Sequence, residues 1–189
     1  MIKIAFVGEI GSGKTFIAKM TKYPLFNADY EVSRIYKTDI SFFKKLNKKI
    51  PKYFKSFPIL KVNLVKAILQ NNQNLKKITK IVHPLVRKKM NIFLKKNMNK
   101  KFVILDIPLY LENNLNKKND IIIFVQSNKS EINKRLKKRK YFNKSLLDKF
   151  RKLQYSAKYK KKKANFIIKN DFNRKNTKIE LYKILKKIS

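Results

Sequence analysis

Gly8-Glu9-Ile10-Gly11-Ser12-Gly13-Lys14-Thr15 follows an apolar run, Ile2 to Val7, and leads into Phe16-Ile17-Ala18-Lys19-Met20, a stretch of helical character. Strand, glycine loop and helix in that order form the setting in which G-x-x-x-x-G-K-[ST] denotes a phosphate-binding P-loop. The chemistry explains the spelling. Glycines let the backbone curl so that successive N–H groups face phosphate oxygens, and the helix N-terminus adds partial positive charge. Lys14 is expected to reach the outer phosphates and the Thr15 hydroxyl to ligate Mg²⁺. The three glycines of the chain, Gly8, Gly11 and Gly13, all lie inside this motif.

Composition bounds the remaining possibilities. A chain of 189 residues is expected to form one domain with a substantial core, with insertions acting as mobile lobes. Without cysteine there is no disulfide framework and no Cys-ligated zinc site, and a single histidine, His83, excludes a His-rich metal site. The N-terminus runs straight into the first strand, and no apolar run approaches membrane-spanning length, so a cytoplasmic protein is expected. The formal charge of +38 would ordinarily suggest nucleic acid or an anionic membrane. Lysine far outnumbers arginine, however, and asparagine occurs twenty times, the bias of an AT-rich coding sequence. Against that background the arginines are the more informative cations, because bidentate phosphate recognition favours guanidinium over ammonium.

After the first helix, Pro24 to Asn27 reads as a short strand ending at Ala28-Asp29. Tyr30 to Gln70 is ragged helix, with an amphipathic segment over Asp39 to Asn47, breaks at Pro51 and Pro58, and a further helix over Ile59 to Leu69. Asn71 to Asn74 is expected to be a polar turn, Leu75 to Val82 helical, and His83-Pro84 the start of a new helix. Phe102 to Asp106 and Asp120 to Val125 have the apolar continuity of strands buried on both faces. Ser130 to Lys140 reads as a basic helix with Arg135 and Arg139 on one face, and Asn143 to Lys163 as continued helix. Phe166 to Ile168 is a last strand, Asn170 to Asn176 a turn, and Ile179 to Ile188 a closing helix.

Strands alternating with helices argue for an α/β fold, a parallel five-stranded sheet in a three-layer α/β/α sandwich of the P-loop NTPase type. Ligands of such sheets bind at the carboxyl ends of the strands. The P-loop after Val7, Asp29 after the second strand and Asp106 after the third would therefore converge on one edge. Asp29 fits a carboxylate that orients an acceptor hydroxyl and takes its proton, or else a helix N-cap before Tyr30. Asp106 fits a Walker-B-like acid near Mg²⁺ or Lys14, or a cap ahead of Pro108.

GEIGSGKT, Asn27-Ala28-Asp29, His83-Pro84-Leu85-Val86-Arg87, Leu105-Asp106-Ile107-Pro108-Leu109 with Glu112, Arg135 with Arg139, Gln154, and Ala164 to Ile168 with Asn170 together resemble the ordered blocks of dephospho-CoA kinase. The resemblance runs from the first strand to about Asn170, and the H-P-L-V-R and L-D-I-P-L blocks in combination are its most specific part. It implies transfer of the ATP γ-phosphate to the ribose 3′-hydroxyl of dephospho-CoA, with ATP and Mg²⁺ required. It also implies a single domain over 1–189, with a helical CoA-binding lobe over about 30–98 and basic lid helices over about 128–160 inserted in the core. Asp29 matches the acceptor-hydroxyl base. Gly8, Gly11, Ser12, Gly13, Lys14, Thr15 and Phe16 match the nucleotide loop, and His83, Arg87 and Asp106 fall with Asp29 on the substrate side. Arg135 and Arg139 match the lid helix that closes on ATP phosphates, where an i, i+4 arginine pair would clamp transition-state charge; a solvated basic face is the alternative. For His83 the alternative is a helix-junction role ahead of Pro84.

Three departures stand out. Asn27 replaces the first acid of the family's Asp-Ala-Asp, Glu9 stands where a glycine is usual, and Thr15-Phe16 stands for Ser-Thr. A monomer acting on dephospho-CoA, with no membrane and no specific nucleic-acid partner, is the leading expectation. The alternatives are another small-molecule or nucleoside-monophosphate P-loop kinase, and a nucleic-acid-associated P-loop NTPase suggested by the charge. The last lacks a recognisable binding motif or aromatic stacking array.

Overall fold

A computed structural model describes residues 1–140 and 142–188; position 141, within the expected lid stretch, and the final residue lie outside the described residues. The chain divides into two compact units, Met1–Asn27 with Asn97–Ser189, and Ala28–Lys96.

The first unit is built on five parallel strands: β1 (Ile2–Gly8), β2 (Leu25–Asn27), β3 (Phe102–Asp106), β4 (Ile121–Gln126) and β5 (Phe166–Lys169). Their order in the sheet is β2-β3-β1-β4-β5, and all five strands expected from the sequence are present. Every residue of β3 is buried, so both faces of the sheet are covered, as its unbroken apolar run requires. Helix α1 (Lys14–Met20) packs against the sheet, and its Ile17 and Ala18 join Ile4, Phe6, Phe102, Ile104, Ile123, Val125 and Ile168 in one apolar core. At about 25 cal/mol per Å² of apolar surface removed from water, such a cluster is the main stabilising term of the unit.

The second unit is helical: α2 (Ala28–Thr38), α3 (Ile40–Lys49), α4 (Lys61–Gln70) and α5 (Asn72–Lys96). Asp39 caps α3, its carboxylate accepting from the Phe42 N–H at 2.8 Å. Ile35, Phe42, Leu46, Phe54, Leu64, Ala67, Ile78 and Val82 form the buried interior. The expected turn over Asn71 to Asn74 and the restart at His83-Pro84 are both corrected. Helix α5 begins at Asn72 and runs unbroken with Pro84 inside it. A proline removes one helical hydrogen bond, but the apolar stripe of α5 packs against α2, α3 and α4, and tertiary packing outweighs that local penalty. The buried Asn74 amide donates to the Ala67 carbonyl at 2.9 Å, which ties the start of α5 to α4.

Back in the first unit, α6 (Lys129–Lys137), α7 (Lys144–Lys152), α8 (Ala157–Lys163) and α9 (Arg174–Ile188) complete the described elements. The single helix expected over Asn143 to Lys163 is two, because the Ser156 hydroxyl accepts from the Tyr159 N–H at 3.2 Å and starts a new helix. The closing helix starts at Arg174, earlier than expected, since the Asn173 side chain accepts from the Lys175 N–H at 2.9 Å.

Candidate active site

The phosphate loop runs from the end of β1 into α1, and its backbone needs glycine. Gly13 sits at φ +93°, where a Cβ would overlap the Asn170 side-chain amide. At Gly8 a Cβ would lie 2.7 Å from the Val125 carbonyl oxygen on the neighbouring strand.

The loop's carbonyl oxygens are held by side chains from elsewhere in the unit. The Ser12 carbonyl accepts from the Asn170 amide at 2.8 Å and from the Ser127 hydroxyl at 3.0 Å. The Gly8 carbonyl accepts from Lys14 Nζ at 3.2 Å, Gln154 Nε2 at 3.3 Å and Lys160 Nζ at 3.4 Å. Carbonyls engaged in this way are not presented to an incoming anion. Lys14 Nζ also donates to the Glu9 carbonyl at 2.7 Å, so its ammonium rests on the loop itself. Ser12 is fully buried, and its hydroxyl oxygen finds no hydrogen-bond partner among the described residues. Thr15 is exposed in the first turn of α1, and Phe16 beside it is 46% exposed. Glu9 lines a shallow surface depression with Lys158 and Lys161.

At the ends of β2 and β3, Asn27 and Asp106 are register partners. The Asn27 amide donates to Asp106 Oδ2 at 2.5 Å, and Asp106 is 3% exposed. The acid is therefore held across two strand ends, and its recorded bond goes to Asn27 rather than to a helix N-terminus.

The arginine pair is corrected in part. Arg135 lies on α6, and its guanidinium stacks on the Phe172 ring at 4.2 Å from the centroid. Phe172 in turn borders Gly13, so Arg135 reaches the loop's surroundings. Arg139 does not share a helix face with it. Helix α6 ends at Lys137 with Lys138 as its C-cap, and the Arg139 N–H turns back to the Leu136 carbonyl at 3.1 Å. Like charges four residues apart weaken a continuing helix, whereas cations in its last turn are favoured.

Asp29, His83 and Arg87 belong to the helical unit. Asp29 is the second residue of α2, inside the first turn, and so is not the N-cap that was the alternative for it. Burial, and after it the Asp29 charge, pushes the Tyr36 hydroxyl, further along α2, up to about 12. His83 and Arg87 stand one turn apart on α5. Burial first, and then the Arg87 guanidinium, holds the imidazole below its usual range.

Sequence reasoning missed Lys160, Ser127 and Phe172. Lys160 is 2% exposed and pairs with Glu112 Oε1 at 2.8 Å, yet it stands in Lys160-Lys161-Lys162-Lys163, where nothing distinguishes one lysine from the next.

The fold has counterparts among solved structures. A solved protein of Thermus thermophilus superposes with a TM-score of 0.82 at 21% identity, covering 100% of this chain and 98% of its own. A dephospho-CoA kinase from Campylobacter jejuni gives 0.65 at 20% identity, covering 99% and 97%. At these identities the two support the fold. Among curated proteins, a dephospho-CoA kinase of Wolbachia sp. subsp. Brugia malayi (strain TRS) is 29% identical over 98% of this chain and 97% of its own. That of Wolbachia pipientis wMel is 31% identical over 87% of each. The family model described as dephospho-CoA kinase matches residues 2–176, and the chain belongs to the dephospho-CoA kinase family.

Proposed function

We infer that the protein phosphorylates the ribose 3′-hydroxyl of dephospho-CoA with ATP, yielding coenzyme A. The observation that carries this is the phosphate loop between β1 and α1 in a chain whose residues 2–176 match the family.

The roles of individual residues are our proposal. The loop residues Gly8, Gly11, Ser12, Gly13, Lys14, Thr15 and Phe16 bind the nucleotide. Its fit to phosphate is supported by the pinned carbonyls, the crowded positions of Gly8 and Gly13, and the unpartnered Ser12 hydroxyl. Lys14 exchanges its carbonyl contacts for phosphate oxygens. Thr15 is the protein ligand for Mg²⁺, which, when bound, supplies charge neutralisation across the phosphates. Asp29 orients the acceptor hydroxyl and takes its proton, a task that needs an ionised carboxylate. Its exposed place in the first turn of α2, rather than at a cap, supports that role. Asp106, with His83 and Arg87, serves the substrate side. Arg135 and Arg139 supply positive charge to the transferring group, now from separate local structures. Positioning and charge neutralisation carry the catalysis. We propose that the enzyme acts as a cytoplasmic monomer, the usual setting of coenzyme A synthesis; among the described residues no helix is long and apolar enough to cross a membrane.

The test is incubation with ATP, Mg²⁺ and dephospho-CoA, following coenzyme A by chromatography and mass spectrometry. Folded protein that forms no coenzyme A, while a competent relative does, would overturn the reading.

A further inference from the structure

Helix α8 reads Ala157-Lys158-Tyr159-Lys160-Lys161-Lys162-Lys163, and of its five lysines four are exposed while Lys160 is 2% exposed. A buried ammonium is costly unless it is paired and hydrogen-bonded. Its partners define what it is doing there. Lys160 Nζ lies 2.8 Å from Glu112 Oε1, with both side chains almost wholly enclosed, and 3.4 Å from the Gly8 carbonyl.

The surroundings form a clasp. Glu112 Oε1 also accepts from the Tyr155 N–H at 2.9 Å, which fixes the link between α7 and α8. Gln154, in the same link, accepts from the Ile10 N–H at 3.2 Å and donates to the Gly8 carbonyl at 3.3 Å. Two ammonium groups, Lys14 and Lys160, thus share one carbonyl of the phosphate loop. They are not equivalent. Lys14 comes from the loop's own helix and donates to the Gly8 and Glu9 carbonyls of that loop, whereas Lys160 is paired with a buried carboxylate.

We infer that Lys160, charge-balanced by Glu112, is a positioning residue for the phosphate loop: it retains the Gly8 carbonyl when Lys14 moves onto phosphate. This rests on the kinase reading and adds a residue to it. A loop that binds anions through N–H groups works only while its carbonyl oxygens are kept engaged elsewhere. When Lys14 leaves, the Gly8 carbonyl loses one of its two cationic donors, and Lys160 with Gln154 remains. The same clasp joins the loop to the α7–α8 segment, so the geometry of that segment and the shape of the cradle are set together.

The test compares wild type, Lys160→Arg, and the double variant Glu112→Gln with Lys160→Met, which leaves no lone buried charge. ATP binding is read by calorimetry, folding by thermal melting, and KM for each substrate by steady-state kinetics. The expected result is ATP binding weakened by about tenfold in the folded double variant, the size of one lost charge-assisted hydrogen bond. KM for ATP rises in parallel, KM for dephospho-CoA does not, and Lys160→Arg restores most of the affinity. Wild-type ATP affinity in the double variant would overturn the inference, since Lys160 would then merely neutralise Glu112. Lysine acetylation of wild-type protein read by mass spectrometry needs no variant. Lys160 stays protected with and without ATP and Mg²⁺, and exposure on ATP binding would also overturn the inference. Wild type that neither binds ATP nor forms coenzyme A would instead overturn the kinase reading itself.

Discussion

Asn27 and Asp106, the last residues of adjacent parallel strands, are joined by a hydrogen bond of 2.5 Å from amide to carboxylate. An acid at position 27, as in the family's Asp-Ala-Asp, would set two carboxyls at this separation around one largely buried point. Such a pair holds one proton between them, because both cannot ionise at contact. The amide gives Asp106 a donor that never titrates. In Asn27→Asp, one carboxyl of the pair has a folded pKa raised above its unfolded value of about 3.9. Its contribution is present below the unfolded pKa and is lost as pH rises through the folded one. The variant should therefore melt progressively further below wild type between about pH 4, near the unfolded pKa, and about pH 8. Melting curves at the two pH values check this, and an equal deficit at both would contradict it.

Asp29 stands in the first turn of α2 as an exposed carboxylate. If it takes the acceptor proton, Asp29→Asn should lower kcat by about 10²–10⁴-fold. The dissociation constant for ATP should stay within about threefold, because the proposed role of Asp29 is toward the acceptor hydroxyl and an exposed helix residue contributes little to folding. Steady-state kinetics beside calorimetric titration separates the two quantities. Equal losses in both would assign Asp29 a structural role in α2.

Much of the core unit was legible because each strand is short, apolar and continuous, and the glycine motif set its order. Phe102 to Asp106 could be read as a strand buried on both faces since no polar residue interrupts it before the terminal acid. The helical unit was harder. Pro84 signals a break, and only the packing of α5 against three other helices overrides that signal. Arg135 and Arg139 were read at helical spacing, but a run of cations ends α6 between them. The clasp around Gly8 could not be read from residue types. Lys160 has the same identity as its neighbours, and what sets it apart is a carboxylate far away in the chain. Long-range pairing of this sort leaves no periodicity behind.

His83 sits within α5, its imidazole held below the usual range by burial and by Arg87 one turn on. For a group whose folded pKa is depressed, stability is fully present above the unfolded value, about 6.5 for histidine. It is lost as pH falls from there through the folded pKa. The helical unit should thus lose stability on acidification below about pH 6.5, before the ordinary carboxylate range is reached. His83→Gln, which keeps polarity without titrating, should flatten that slope. Hydrogen-exchange protection of α5 amides between pH 5 and pH 7, corrected for intrinsic rates, reports it. A slope unchanged in the variant would assign the effect to other groups.

Asn170 is 2% exposed and joins three contacts, two of them buried. Its amide donates to the Ser12 carbonyl at 2.8 Å, while its Oδ1 accepts from the Phe172 N–H and the Thr177 hydroxyl, each at 3.0 Å. Truncation in Asn170→Ala strands these groups at a cost of about 1–3 kcal/mol. For a chain of this size that is a fall in Tm of roughly 3–10 °C. Asn170→Asp isolates the bond to the loop. It keeps the acceptor for Phe172 and Thr177 but replaces the donor to Ser12 with a carboxylate oxygen, which repels that carbonyl. If the bond shapes the cradle, both variants bind ATP more weakly, and Asn170→Asp does so by about tenfold or more even where its Tm is the closer to wild type. Calorimetric titration of the folded variants decides the matter: ATP affinity retained in Asn170→Asp would mean that the Ser12 carbonyl holds its orientation through Ser127 alone.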